Sequence, residues 1–345
     1  MGQSMGQRIF NIVSGAKSGA LNVAITVGNF LQREGHAVEL ILRKYNKTDL
    51  AEVTVVKDRF TLDYIYALAN LIDERQPDVI MVHGYSTHLW TKLALLKATY
   101  KPRLIHVEHN VERYTNFRAY LLRKLDCCTE TYICVSQGVA NSLIKLNLPK
   151  EKIRVIYNGI DIEKFALAKQ PHHEFTIGMV ARFTKQKDQM TLIKAVEILV
   201  KTKKIPLKLI LMGEGKLKKD CIKYVNQHAL TEYIFFETGL FTALIPRIDL
   251  FVLSTHYEGL PLVLCEAMAA KLPVIATKVA GVDEIVIHGK TGVLVEENNS
   301  LELAAKIEKV RAEKTAYVES AYQSVNEKFL LEKMCKAYRK VIENY

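Results

Sequence analysis

The chain has 345 residues, 49% hydrophobic and 25% charged, a globular balance that excludes a disordered polypeptide and allows two domains with separate cores. Its formal net charge of +11 attracts polyanions, yet no RNA-binding signature, zinc-finger spacing or basic zipper supports nucleic acid over anionic lipid or a phosphorylated ligand. No apolar run reaches the roughly 18–20 residues of a membrane span, the apolar run at 9–13 is too short for a secretory leader, and the six cysteines form no Cys-x-x-Cys pair, which together suit a reducing cytoplasm.

In chain order, strands are predicted at 9–14, 37–42, 79–83, 103–107, 132–135 and 154–156. Helices fall between them at 21–33, 62–75, 88–97, 114–125 and 138–146. The polar, weakly patterned stretch 166–174 reads as a linker. Beyond it the rhythm restarts with strands at 175–180, 207–212, 234–236, 250–253 and 274–276. Helices are expected at 189–201, 216–229 and 261–270, with a curtailed one at 241–247 and helical sequence from 301 onward. Alternation of this kind implies a fold class of α/β with two doubly wound parallel sheets. Ligands of such sheets bind beyond the carboxyl ends of the strands. The expected domains are 1–165 and 175–325, with a C-terminal helix at 326–345 packing back on the first.

Several residues at predicted strand ends carry candidate chemistry. Glu258 lies in the turn between strand 250–253 and helix 261–270, and Glu266 lies within that helix. Gly259 admits close approach of the backbone to a ligand, and the helix start favours an anion. Arg182 and Lys187 follow the strand at 175–180, where two cations suit a diphosphate. A solvated surface pair is the plainer reading. His109 stands at the end of the strand-like segment 103–109, with His83 and His106 as rivals and a structural role as the alternative. The turn Ser14-Gly15-Ala16-Lys17-Ser18-Gly19 could bind phosphate or simply reverse the chain, since it has neither dinucleotide nor P-loop spacing. The stretch 112–125 interleaves aromatics with Arg113, Arg118, Arg123 and Lys124. It reads equally as a basic face for an anionic membrane and as a core-packing helix with a charged outer side. No metal-ligand spacing and no Asp-x-Asp occurs.

The run from Glu258 to Met268 resembles the signature of retaining glycosyltransferases of family 4, whose fold is GT-B. Further motifs follow in family order: Ser18-Gly19, Gly35-His36-Ala37-Val38, His109, Val155 to Asp161 with Phe165, Val180-Ala181-Arg182-Phe183 with Lys187, Gly213-Glu214-Gly215, Pro273 to Thr277, Gly281 to Val286, and Gly289-Lys290-Thr291-Gly292. The resemblance implies two Rossmann-like domains facing across a cleft. It assigns Arg182 and Lys187 to a donor diphosphate, Glu266 to ribose hydroxyls and Glu258 to hydroxyls of the transferred sugar. Backbone around Gly259, Leu260, Leu262 and Gly281, together with Gly19, would serve sugar and phosphates, and His109 a sugar hydroxyl or the transition state. Ser18, Ala181 and Ala280 stand where the family has glycine, and the segment between Gly239 and Asp249 is short.

The implied enzyme is a metal-independent retaining glycosyltransferase without cofactor. It would move a sugar from a nucleoside diphosphate sugar, UDP-sugar favoured, to a glycan or a lipid-linked cell-envelope precursor. Its expected setting is the cytoplasm and the inner face of the membrane, with an anionic membrane surface as partner and no nucleic acid. Two alternatives stay open: a nucleotide-sugar 2-epimerase of the same fold, and an inactive subunit that binds a partner.

Overall fold

A computed structural model of the chain describes residues 6–14, 19–43, 53–56, 61–111, 114–171, 173–313 and 317–343. The chain forms two compact units, one of Met1–Asn158 with Glu332–Tyr345 and one of Gly159–Leu331.

The first unit runs β1 (Arg8–Val13), α1 (Gly19–Arg33), β2 (Ala37–Leu42), β3 (Val53–Val55), α2 (Thr61–Arg75), β4 (Val79–His83), α3 (Tyr85–Lys97), β5 (Arg103–Glu108), α4 (Asn116–Lys124), β6 (Thr131–Cys134), α5 (Gln137–Lys145) and β7 (Ile153–Val155). The strands pair in parallel in the order β3-β2-β1-β4-β5-β6-β7. Their near-continuous apolar runs suit a sheet covered on both faces: Phe10 and Ile12 of β1 and Ile80 and Val82 of β4 are fully buried. Helix α1 packs down through a stripe of Val23, Ala24, Val27 and Leu31, the spacing of one helical face.

The second unit repeats the plan with β8 (Thr176–Val180), α6 (Gln189–Glu197), β9 (Lys208–Met212), α7 (Lys218–Gln227), β10 (Ile234–Glu237), α8 (Phe241–Leu244), β11 (Leu250–Leu253), α9 (Leu262–Ala269), β12 (Val274–Thr277), β13 (Val293–Val295), α10 (Ser300–Ala312) and α11 (Val318–Lys328). The sheet order is β10-β9-β8-β11-β12-β13, again all parallel. A last helix, α12 (Leu331–Ile342), ends the described chain. In both sheets the first strand lies between the second and the fourth. The order in which strands are added therefore reverses between β1 and β4 in one unit, and between β8 and β11 in the other, the switch points where such sheets bind ligands.

The chain passes between units at Asn158–Gly159 and again at Leu331–Glu332. Residues 166–174, expected as the linker, fall inside the second unit, with His172 outside the described residues. Gln170 N–H donates to Pro246 O (2.8 Å), and Phe165 just before them is buried. The two crossing segments are bonded side by side, with Ile160 N–H on Phe329 O (2.8 Å) and Leu331 N–H on Ile160 O (3.0 Å). A Cβ at Gly159 would stand 2.4 Å from Leu330 O, so only glycine fits. The C-terminal helix expected over 326–345 divides: 326–328 finish α11, while α12 packs on the first unit. It buries Met334, Cys335, Tyr338 and Ile342, and Arg103 donates to Ile342 O (2.6 Å). The curtailed helix at 241–247 is α8 plus a 3-10 turn over Ile245–Arg247. No helix among the described residues is long and apolar enough to cross a membrane.

Candidate active site

At the switch point of the second unit, the loop after β8 is stitched to the loop after β11. Asp188 N–H donates to Ser254 O (3.0 Å), His256 N–H to Gln186 O (2.9 Å), and the Thr255 hydroxyl to the same Gln186 O (3.0 Å). This stitching carries Lys187 onto Glu258. Its ammonium donates to Glu258 Oε1, and the pair is largely withdrawn from solvent. Gln186 completes the arrangement by donating through Nε2 to Tyr257 O (2.8 Å) and to Glu258 Oε2 (3.3 Å). A buried carboxylate held by a cation and an amide is fixed in place, with its remaining lone pairs open to hydroxyl donors.

The glycines explain how the backbone closes around this pair. Gly281 has φ +83°, and a Cβ there would lie 2.3 Å from Gly259 O. The 281 loop therefore rests directly on the Glu258–Gly259 backbone. Gly213 and Gly215 press on the segment 181–183: Phe183 N–H donates to Glu214 O (2.9 Å), and a Cβ at Gly215 would meet Phe183 O at 2.3 Å. Phe183 is buried, while Arg182 between these anchors is exposed, its backbone held by Gln189 Nε2 (3.1 Å). Among the described residues Arg182 makes no ion pair, so its guanidinium is free to take an anion.

Pro261 precedes α9, and no side chain caps the helix. Leu264 N–H donates to Pro261 O (2.9 Å), which leaves the first two amides of α9, Leu262 and Val263, to suit negative charge. Leu260 is buried beside them. Glu266, one turn into α9, makes no side-chain hydrogen bond among the described residues. Burial pushes its carboxyl up from 4.5 to about 7.

The expected residues of the first unit lie beyond the parallel strands. Gly19 opens α1, and a Cβ on it would meet nothing within 4 Å. Ser18, expected to alter that loop, lies outside the described residues. His109 follows β5 and stacks on His83 at the end of β4, with ring centroids 5.1 Å apart. Its Nε2 is 2.9 Å from His83 Nδ1, and His83 Nε2 is 2.8 Å from Asn11 Oδ1. Desolvation pushes His109 down to about 4 and His83 well below its ordinary value, so both rings are neutral at pH 7. Neighbouring Glu108 is buried and accepts from the Tyr114 hydroxyl (2.9 Å) and the His109 amide (3.0 Å). His106, a rival candidate, is fully buried and stacks on His88 (3.9 Å between centroids).

Sequence reasoning missed Gln186 and Asn11. Gln186 carried no signal beyond its place beside Lys187. Asn11 did: it is the one polar residue inside the apolar run 9–13, and a buried polar side chain in a central strand demands partners. The stretch 112–125 gives α4, with 112–113 outside the described residues. Ala119 and Leu122 are buried, whereas Phe117 (69% exposed) and Tyr120 (49%) face outward among Arg118, Arg123 and Lys124.

Comparison with known proteins identifies two family matches that together run along most of the chain. Residues 17–164 match the model of Glycosyltransferase Family 4, and residues 161–324 that of Glycosyl transferases group 1. The capsular polysaccharide biosynthesis glycosyltransferase CapM of Staphylococcus aureus is 32% identical over 225 residues, covering 58% of this chain and 57% of that protein. The match thus spans less than two thirds of CapM. The UDP-Gal:alpha-D-GlcNAc-diphosphoundecaprenol alpha-1,3-galactosyltransferase of Escherichia coli is 27% identical over 274 residues, covering 72% and 69% of the two chains. Anabaena HepE in complex with UDP superposes with a TM-score of 0.84 at 20% identity over 98% of this chain and 100% of that one, which establishes the shared fold.

Proposed function

The chain belongs to the family-4-like glycosyltransferases of GT-B fold, and from that premise we propose that it transfers a sugar from a UDP-sugar to a glycan or lipid-linked envelope precursor, with retention of anomeric configuration. The observation that carries this reading is the strand-end cluster of Arg182, Lys187, Glu258 and Glu266 around the uncapped start of α9.

Breaking the bond between sugar and diphosphate develops positive charge on the anomeric carbon and negative charge on the leaving phosphate. Arg182, unpaired and exposed, offers two parallel donors to that diphosphate. Lys187 and the first amides of α9 add fixed positive potential, and charge stabilisation of this kind needs no metal or cofactor. Glu258 holds sugar hydroxyls, and Glu266 accepts from the ribose. The Gly259–Gly281 contact brings backbone close to the sugar. In the first unit, Gly19 leaves space beside α1, and His109 offers an acceptor to a sugar hydroxyl. With ionic groups fixed, same-face attack lets the leaving phosphate take the acceptor's proton. A donor of this kind is supported by the UDP bound in HepE, and an envelope acceptor by the capsular polysaccharide role named for CapM and the diphosphoundecaprenol-linked sugar named for the Escherichia coli galactosyltransferase.

An acceptor embedded in lipid fits α4. Phe117 and Tyr120 stand exposed between three basic side chains, a surface suited to the anionic inner face of a membrane.

The test is NMR of the purified protein with UDP-, GDP- and ADP-sugars, with and without a diphosphate-lipid acceptor, in EDTA. Acceptor-dependent release of UDP and an axial anomeric product from an axial donor are expected. Conversion of donor alone to its C2 epimer, or loss of turnover in EDTA, would contradict the corresponding part of the reading.

A further inference from the structure

Three side chains in the first unit form a directed hydrogen-bond chain whose proton positions follow from its fixed end. Asn11 is buried in β1, and its Nδ2 donates to Ala24 O of α1 at 2.7 Å. The opposite amide orientation would place two oxygens at that distance, so the amide is set and Oδ1 faces His83. An amide oxygen only accepts, so the proton of His83 resides on Nε2, 2.8 Å away. The neutral ring then has a bare Nδ1, which accepts from Nε2–H of His109 at 2.9 Å. His109 in turn has a bare Nδ1, and among the described residues this atom has no protein partner.

We propose that Asn11 and His83 are positioning residues that fix His109 in its Nε2–H tautomer, so that its Nδ1 lone pair accepts a hydrogen bond from a hydroxyl of the transferred sugar. The inference rests on the reading of His109 as a sugar-hydroxyl ligand and adds which atom does it and what holds that atom ready. A neutral acceptor has a chemical advantage there: an imidazolium would oppose the positive charge developing on the anomeric carbon, whereas a lone pair does not. The surroundings agree. Burial disfavours the charged ring, and the nearest carboxylate, Glu108, is engaged by the His109 amide and Tyr114 and lies 3.5 Å from His106. His106 itself is held neutral by desolvation and by the Lys92 cation, which opposes protonation on that side.

Two-bond nitrogen–proton NMR on the full chain with labelled histidine reads the tautomers directly, with His83→Gln and His109→Gln assigning the signals. Both rings should be neutral at pH 7 with the proton on Nε2. A proton on Nδ1 of either ring, or a cation, would overturn the proposal. In turnover, Asn11→Leu should lower kcat by about tenfold, the worth of one hydrogen bond, with little change in donor KM. It should have no further effect on a His109→Ala background. If His109→Ala itself leaves turnover intact, the reading of His109 fails. If His109→Ala lowers turnover but Asn11→Leu changes neither kcat nor the His109 tautomer, the positioning chain fails. Should Asn11→Leu not fold, the wild-type spectrum decides alone.

Discussion

The two sheets place their functional side chains at the same topological position and fill it with opposite chemistry. Beside β8 and β11 the groups are ionic: Lys187 against Glu258, Arg182 without an ion pair among the described residues, and Glu266 half-buried. Beside β1 and β4 they are neutral, an amide and two uncharged imidazoles in series. On the proposed reading, one Rossmann-like plan supplies an anion site in one unit and an uncharged hydroxyl acceptor in the other. In the second unit the groups stand on the loops and the helix after the strands, whereas in the first Asn11 and His83 belong to β1 and β4 themselves and only His109 lies past its strand.

The contrast is broken most severely at the ionic end. Lys187→Ala strands Glu258 without its cation in a buried setting, which costs about 3–5 kcal/mol of stability. Thermal unfolding should show that loss, and turnover should fall with it. Adding Glu258→Gln should recover the melting temperature without recovering turnover, because the diphosphate cation stays missing. Arg182→Ala separates the two effects. The side chain is exposed and unpaired, so unfolding should shift by less than about 0.5 kcal/mol, while kcat drops by about 10²–10³-fold, the usual cost of a lost charge stabiliser.

These expectations show how unevenly the sequence reported its own structure. Long apolar runs and helix periodicity made both doubly wound sheets legible, because each strand is buried on two faces. The three-residue edge strands β3 and β13 carried too little pattern. The unit boundary misled for a physical reason: polar composition at 166–174 resembles a linker, but a backbone bond to Pro246 decides its place. In the ionic site, charge and spacing exposed Arg182, Lys187, Glu258 and Glu266, although not the bond between Lys187 and Glu258, which needs two distant loops to be stitched together. In the neutral site His109 stood out with His83 as a rival to it, and Asn11 showed only as a polar residue inside an apolar strand. That the three stand in series depends on side-chain orientation, which composition does not carry.

A gentler probe is pH. The Glu266 carboxyl is raised from 4.5 to about 7 in the free protein, so the unfolded chain ionises first as pH rises. Stability from this group is fully present below pH 4.5 and is lost as pH climbs through about 7, a change of about 3 kcal/mol. Glu266→Gln should flatten that slope in melting experiments. Ribose hydroxyls need the ionised carboxylate, so stabilisation by UDP should run the other way and grow as pH rises through 7. The neutral site runs the other way: His109 is pushed from 6.5 down to about 4, so its share of stability is full above pH 6.5 and is lost as pH falls towards 4, and the difference between wild type and Glu266→Gln isolates the carboxyl. The smallest effect is expected on α4: replacing Arg118, Arg123 and Lys124 with glutamine should reduce flotation with anionic vesicles by about 1 kcal/mol per charge and leave transfer to a soluble acceptor unchanged.

The central claim is that the loops after β8 and β11 grip a nucleoside diphosphate by its phosphates. Calorimetric titration of uridine, UMP and UDP into the wild type and Arg182→Ala tests it most directly. Wild type should bind UDP more tightly than UMP and UMP more tightly than uridine, and Arg182→Ala should lose at least about tenfold for UDP while uridine is unaffected. Equal affinity for the three ligands, or an Arg182→Ala protein that binds UDP as well as the wild type does, would contradict the account.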